Sequence, residues 1–313
     1  MVIVAVSFLI LACAGALAFV KYWRELLANE EGMVERSKIA WKFLVPAYSF
    51  FATLAAGAAI AAGLAGLGVI RAEPQPLAFL ALASLVPAWA LVVADLGAPE
   101  RAINILTSFN KTSRIAWNVA FYVLLALSIL WLLLAPSPEA ALLAIASAIL
   151  LETNFGMAFG TSKVPGWQGS AKAAEFAAAT FLAMGIWLTR GDIILVSVIS
   201  LLLLDFWELY FVKSFERLEV PLKYVAPYYA LLALAAVVSL ANPVAGAALA
   251  FIGLFANKAL SAEWPQRLRL SLPPYSYAFS QEAAFVERPE VMVTLAAFLI
   301  WIALLLLKVL IYG

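Results

Sequence analysis

From residue 2 to residue 312 the chain returns again and again to apolar runs close to 20 residues long, such as FFATLAAGAAIAAGLAGLGVI at 50–70. That recurrence fixes what it can fold into, because about 20 helical residues at 1.5 Å each cross a hydrocarbon layer of about 30 Å. A membrane β-barrel would need polar and apolar residues in alternation, and the runs show no such alternation. Only 12 % of the residues are charged and the mean hydropathy is +0.99, against about 25 % charged in soluble domains. The fold class read from the sequence is therefore all-α, a polytopic transmembrane bundle.

The spans fall at 2–20, 44–70, 76–95, 116–135, 138–160, 173–189, 193–213, 225–241, 243–258 and 291–312, about ten helices. Residues 2–20 have no Lys or Arg before the apolar run and lead into Lys21, Tyr22, Trp23 and Arg24, an interfacial anchor, so the segment reads as a retained helix and not as a signal sequence. Span 243–258, with 16 residues, covers only about 24 Å. It is expected to extend towards Leu260, to tilt, or to form a shallow hairpin with its predecessor. The organisation that follows is an additional helix and loop at 1–43, a core bundle at 44–260, and a loop with a final helix at 261–313.

The connections alternate in character. Short Pro, Gly and Asn turns follow spans 2, 4, 6 and 8, and longer polar segments follow the others. Of the 20 Lys and Arg residues, all but Arg71, Arg190 and Lys308 fall nearer the face with the long segments. The positive-inside rule makes that face cytoplasmic and sends both termini to the non-cytoplasmic side of a cell membrane. The longest connection, 259–290, is too short to fold a soluble domain, so extramembrane chemistry is expected from a partner.

A net charge of +1 gives no electrostatic footprint for nucleic acid. A single cysteine, Cys13, excludes an intrachain disulfide and a cysteine-ligated cluster, and zero histidines exclude bis-histidine haem. No haem and no metal are expected in this subunit.

Against this background the polar interruptions carry the information. ADLGAPERAINILTSFNKTSRIAW at 94–117 sets five charges between two apolar runs. Gly97 and Pro99 suit a helix end. Asp95 does not, since a carboxylate at the carbonyl end of a helix opposes the dipole. It either pairs with Arg101 or Arg114 or accepts a proton at the interface. Glu152 and Asn154 sit about two turns inside the same face, where polar groups usually turn into the bundle, while Gly156 and Gly160 have the spacing of close helix contact. In LLLLDFWELYFVK at 201–213, Asp205 and Glu208 share a helix face. They suit a structural ion pair or a proton route about equally. Tyr48, alone an ordinary interfacial tyrosine, lies at a depth similar to that of Asp95, Glu152 and Asn154.

These stretches resemble the NrfD-like polysulfide reductase membrane subunit family. The resemblance rests on Asp95, Leu96, Gly97, Pro99 and Arg101, then Phe109, Asn110, Ser113 and Trp117, then Gly156, Gly160, Lys163, Pro165 and Trp167, and on the helix at 44–58. Tyr48 and Ser49 stand where the family often has a His, and Asn154 where it often has a Tyr. The resemblance implies a haem-free eight-helix core, here spans 2–9, with one helix added at each end. It also implies a quinone, of ubiquinone or menaquinone type, bound near one face. An iron–sulfur subunit would dock there and serve a molybdopterin catalytic subunit that acts on a sulfur compound or an oxyanion. On that reading Tyr48, Asp95, Glu152 and Asn154 contact quinone, Arg101, Arg114, Lys163 and Trp167 hold the partner, and Asp205 and Glu208 conduct protons. The chain would then exchange electrons with the quinone pool without containing the complex's catalytic centre. Its rivals are a structural anchor without quinone chemistry and a proton or solute transporter.

Overall fold

The structure, a computed structural model, describes residues 6–7, 9–17, 43–95, 107–160, 167, 169–214, 222–270 and 288–312. All regular structure among them is helical: α1 (9–17), α2 (Leu44–Gly66), α3 (Pro74–Asp95), α4 (Arg114–Leu134), α5 (Pro138–Phe159), α6 (Gly169–Leu188), α7 (Gly191–Ser214), α8 (Leu222–Ala241), α9 (Pro243–Leu270) and α10 (Arg288–Tyr312). Eight of these are long and apolar enough to cross a membrane, and Val225–Ala241 within α8 is a shorter apolar helix. The protein is a polytopic helical bundle.

Local chemistry sets the helix ends. Ser113 and Ser137 cap α4 and α5 by accepting from the amides of Ala116 (3.3 Å) and Ala140 (3.2 Å), which satisfies donors a helix start would leave open. Pro138 then occupies the first turn, where its missing N–H costs nothing. A single residue, Asn242, joins α8 to α9. The hairpin closes because Gly246 lies against the Ser239 backbone.

Helices α2–α5 close on one another as one four-helix unit and α6–α9 as a second, joined where α2 and α5 meet α6 and where α2 meets α9. α10 packs on α3, and α1 meets α10 at Gly15. The architecture is thus an eight-helix core with a helix added at each end. α2 is its axis: 20 of its 23 residues are buried, against 7 of 21 in the lipid-facing α4. Because lipid is as apolar as leucine, such an axis is held by close packing and not by the hydrophobic effect. A Cβ at Gly57 would lie 2.6 Å from Ala183 Cβ, and one at Gly63 2.7 Å from the Ala141 carbonyl. Phe50, Phe251 and Phe255 then lock α2 to α9 with ring centroids 5.1–5.2 Å apart.

Two of the boundaries that differ from the sequence reading bear on the polar groups. α9 continues to Leu270, so the short span 243–258 is the apolar part of a 28-residue helix, and the segment from 259 begins as helix. α6 starts at Gly169, four residues before the first position assigned to its span, which brings Lys172 into the helix. In both cases a charged residue hid a helix that continues.

Candidate functional site

A cavity of about 130 Å³ opens in the first unit, among the start of α2, the end of α3, the start of α4 and the end of α5. Val45, Val92, Ile115, Val119, Phe155 and Ala158 supply its apolar wall, and Tyr48, Asp95, Asn118 and Tyr122 its polar groups. The Tyr48 hydroxyl donates to the Asp95 carboxylate, and its ring meets Phe155 edge-on at 5.6 Å. Tyr122 is 2 % exposed, and its hydroxyl has no hydrogen-bond partner among the described residues. An unmet buried hydroxyl is costly, so a ligand oxygen at that wall would be stabilised.

Of the four residues expected to contact quinone, Tyr48 and Asp95 line the cavity; Glu152 and Asn154 stand one layer behind it. Asn154 donates to Asn118 Oδ1 at 2.6 Å and to the Arg114 carbonyl at 3.1 Å, and accepts from the Arg114 guanidinium at 3.3 Å. It therefore sets the position of Asn118 and the start of α4. Glu152, 1 % exposed, accepts from the Thr53 hydroxyl at 2.7 Å and interacts electrostatically with Tyr122 and Lys258. It does not line the cavity, and its interactions reach both Tyr122 of the cavity wall and Lys258 of the second unit.

Among the residues expected to hold a partner, Arg101 and Lys163 lie outside the described residues. Arg114 is exposed at the start of α4. Trp167, in contrast, is 3 % exposed: its indole donates to the Ser261 carbonyl at 2.8 Å and packs edge-on to Phe159 at 4.9 Å. Its burial makes it a brace between α5 and α9.

The second unit holds a dense polar cluster. Lys172 donates to Glu175 (2.6 Å) and Glu208 (2.8 Å) with all three buried. Asp205 accepts from the Tyr228 hydroxyl at 2.9 Å, and Asn257 donates to Tyr228 at 3.0 Å and to Glu175 at 2.9 Å. Ser261 also donates to Glu175. Single carboxylate oxygens of Glu175, Asp205 and Glu208 lie within 4.8 Å of one another, and the Lys172 ammonium bridges two of those side chains. The space beside them is about 10 Å³, room for about one water. Glu208 is thus an ion-pair partner, as one of the two sequence readings had it, and Asp205 has a hydroxyl in place of a cation.

Lys172, Glu175, Tyr122, Asn118, Asn257 and Lys258 were missed from sequence. Their signal was present, since Lys172 with Glu175 and Asn257 with Lys258 interrupt apolar helices, where ionisable groups rarely occur without function.

An eight-helix membrane core with an amphiphilic cavity at the ends of four helices and buried carboxylates beside it places the chain among polytopic helical membrane proteins. The sequence profile described as polysulphide reductase, NrfD matches residues 30–204, more than half of the chain. The chain belongs to this family, as a membrane subunit of the polysulphide reductase type. No curated protein matches it.

Proposed function

We propose that the protein exchanges electrons between the membrane quinone pool and an iron–sulfur subunit of a respiratory complex whose catalytic subunit carries molybdopterin. The observation that carries the reading is the cavity itself. About 130 Å³ is close to the roughly 150 Å³ that admits a benzene ring in an engineered core, so it suits one quinone head group. Its apolar wall would take the ring faces, while Asp95, Tyr48 and Tyr122 meet the ring oxygens. When a quinol is oxidised it loses two electrons and two protons. Asp95 would accept one hydroxyl proton, with Tyr48 holding the carboxylate in place. The freed electrons would leave by a cluster in the docked partner, because a chain with zero histidines and one cysteine builds no bis-histidine haem and no cysteine-ligated cluster. The same parts run backwards for quinone reduction. Arg114, with Arg101 and Lys163, would attract an acidic partner surface at this face.

The basic residues gathered on the cavity's face favour a cytoplasmic position for it and outward termini. The reading is tested with a photoreactive quinone on the purified full-length chain, followed by peptide mapping. Labelling concentrated in 44–48, 92–95 and 115–122 and displaced by unmodified quinone is the expected result. Labelling spread over lipid-facing positions such as Leu130 and Leu203, without displacement, would leave the structural anchor as the function.

A further inference from the structure

Lys258 lies in α9 inside a membrane span, 1 % exposed, and its ammonium nitrogen has no hydrogen-bond partner among the described residues. It sits 3.3 Å from the centroid of the Phe176 ring. An aromatic face only partly offsets the cost of taking an ammonium out of water. Lys172, by comparison, is held by two carboxylates. The two lysines therefore have different standing: the ammonium of one is held by two carboxylates, and that of the other makes no hydrogen bond among the described residues.

The surroundings of Lys258 define what such an ammonium would accomplish. It interacts electrostatically with Glu152 of α5, with Glu175 and Lys172 of α6, and with Asp205 of α7. Glu152 belongs to the unit that holds the cavity, and Glu175 and Asp205 to the other. One oxygen of Glu152, Oε1, also lacks a hydrogen-bond partner among the described residues. On the cavity side, Tyr122 lines the space a ring would fill and interacts electrostatically with Glu152. Four buried acids (Glu152, Glu175, Asp205, Glu208) face two buried lysines (Lys172, Lys258). Among the described residues of this group, four minus two leaves an excess of two acids, and burying unbalanced charge is costly. Protons held on such a group would offset that cost.

We propose that Lys258 is a proton carrier between the two four-helix units, linking Glu152 to the Glu175–Asp205 cluster. Its ammonium gives a proton to a carboxylate of the cluster, one O–H bond forming as one N–H bond breaks. The amine so formed, on its flexible stem, then takes the proton of the Glu152 carboxylic acid, which restores the ammonium. No electron moves in either step. The proposal rests on the quinone reading of the first unit, since oxidation of a bound quinol is what would deliver protons to Glu152.

The test is electrochemically induced infrared difference spectroscopy of the full-length chain in nanodiscs with a short-tailed quinone. Carboxyl bands are assigned by Glu152→Gln and Asp205→Asn. In the wild type, turning over the quinone should change the protonation of both Glu152 and the Asp205 cluster. In Lys258→Met the Glu152 band should remain and the cluster band disappear. Lys258→Arg keeps the positive charge but does not release a proton at accessible pH, so it should also lose the cluster band. A cluster band that survives in Lys258→Met, or is restored by Lys258→Arg, would overturn the carrier and leave Lys258 as a fixed counter-charge. Absence of every quinone-dependent band in a folded wild type that also fails to bind quinone would remove the quinone reading, and this inference with it.

Discussion

The two four-helix units place polar groups at similar depth and use them in opposite ways. In the first, Tyr48, Asp95, Asn118 and Tyr122 surround a void of about 130 Å³, and the Tyr122 hydroxyl is left unmet. In the second, Lys172, Glu175, Glu208, Asp205, Tyr228 and Asn257 bond to one another around a space of about 10 Å³. Unspent hydrogen-bonding capacity beside an apolar wall is the chemistry a small-ligand site needs. In the second unit most of that capacity is spent internally, with Lys258 Nζ and Asn257 Oδ1 among the exceptions, and the space left admits about one water. Position in a span therefore says less than partners do.

That contrast predicts where substitutions act. The largest effect is expected for Lys172→Met, which strips the cation from two buried carboxylates and should cost about 3–5 kcal/mol of stability. Thermal unfolding in detergent would show it, with the onset of unfolding lowered markedly. Gly156→Ala comes next, because the added Cβ meets the Lys172 carbonyl and the Ala173 backbone across the α5–α6 contact that joins the units. Overpacking there should cost about 1–3 kcal/mol in the same assay. Asp95→Asn should leave stability unchanged and weaken quinol binding about tenfold, since a hydrogen bond to a charged group is worth roughly 1.5–3 kcal/mol. Tyr48→Phe, which removes a neutral donor from the cavity wall, should weaken binding only a few-fold, for a loss of about 1 kcal/mol. Arg190→Ala breaks an exposed ion pair with Asp192 and should change neither binding nor unfolding. If Asp95→Asn instead lowered stability as Lys172→Met does, the two units would not be distinct in the way described.

The legibility of these units in the sequence follows the same physics. Apolar runs revealed the bundle because the hydrocarbon layer imposes their length, and Asp95 with Tyr48 stood out as polar groups at span ends. Lys172 and Lys258 were lost because each ended a span when spans were cut at charges; the helices run past both, from Gly169 and to Leu270. Hydropathy scores each charge as solvated, whereas here Glu175 and Glu208 take the place of water around Lys172. Glu152 and Asn154 were legible as inward-facing but not in direction. Which neighbour a buried side chain meets depends on helix rotation, and that is set by contacts such as Gly57 on Ala183 and Gly156 on Lys172. Trp167 was expected from the resemblance to hold the partner; its indole donates to the Ser261 carbonyl.

The central claim, that the first unit takes a quinone ring and the second does not, is tested most directly by titrating the full-length protein with a soluble quinol analogue. Tryptophan fluorescence is followed for the wild type, Asp95→Asn and Asp205→Asn. The account predicts saturable quenching in the wild type, an affinity lowered about tenfold by Asp95→Asn, and an affinity unchanged by Asp205→Asn. Quenching that fails to saturate in a folded protein, or that responds to Asp205→Asn and not to Asp95→Asn, would contradict it.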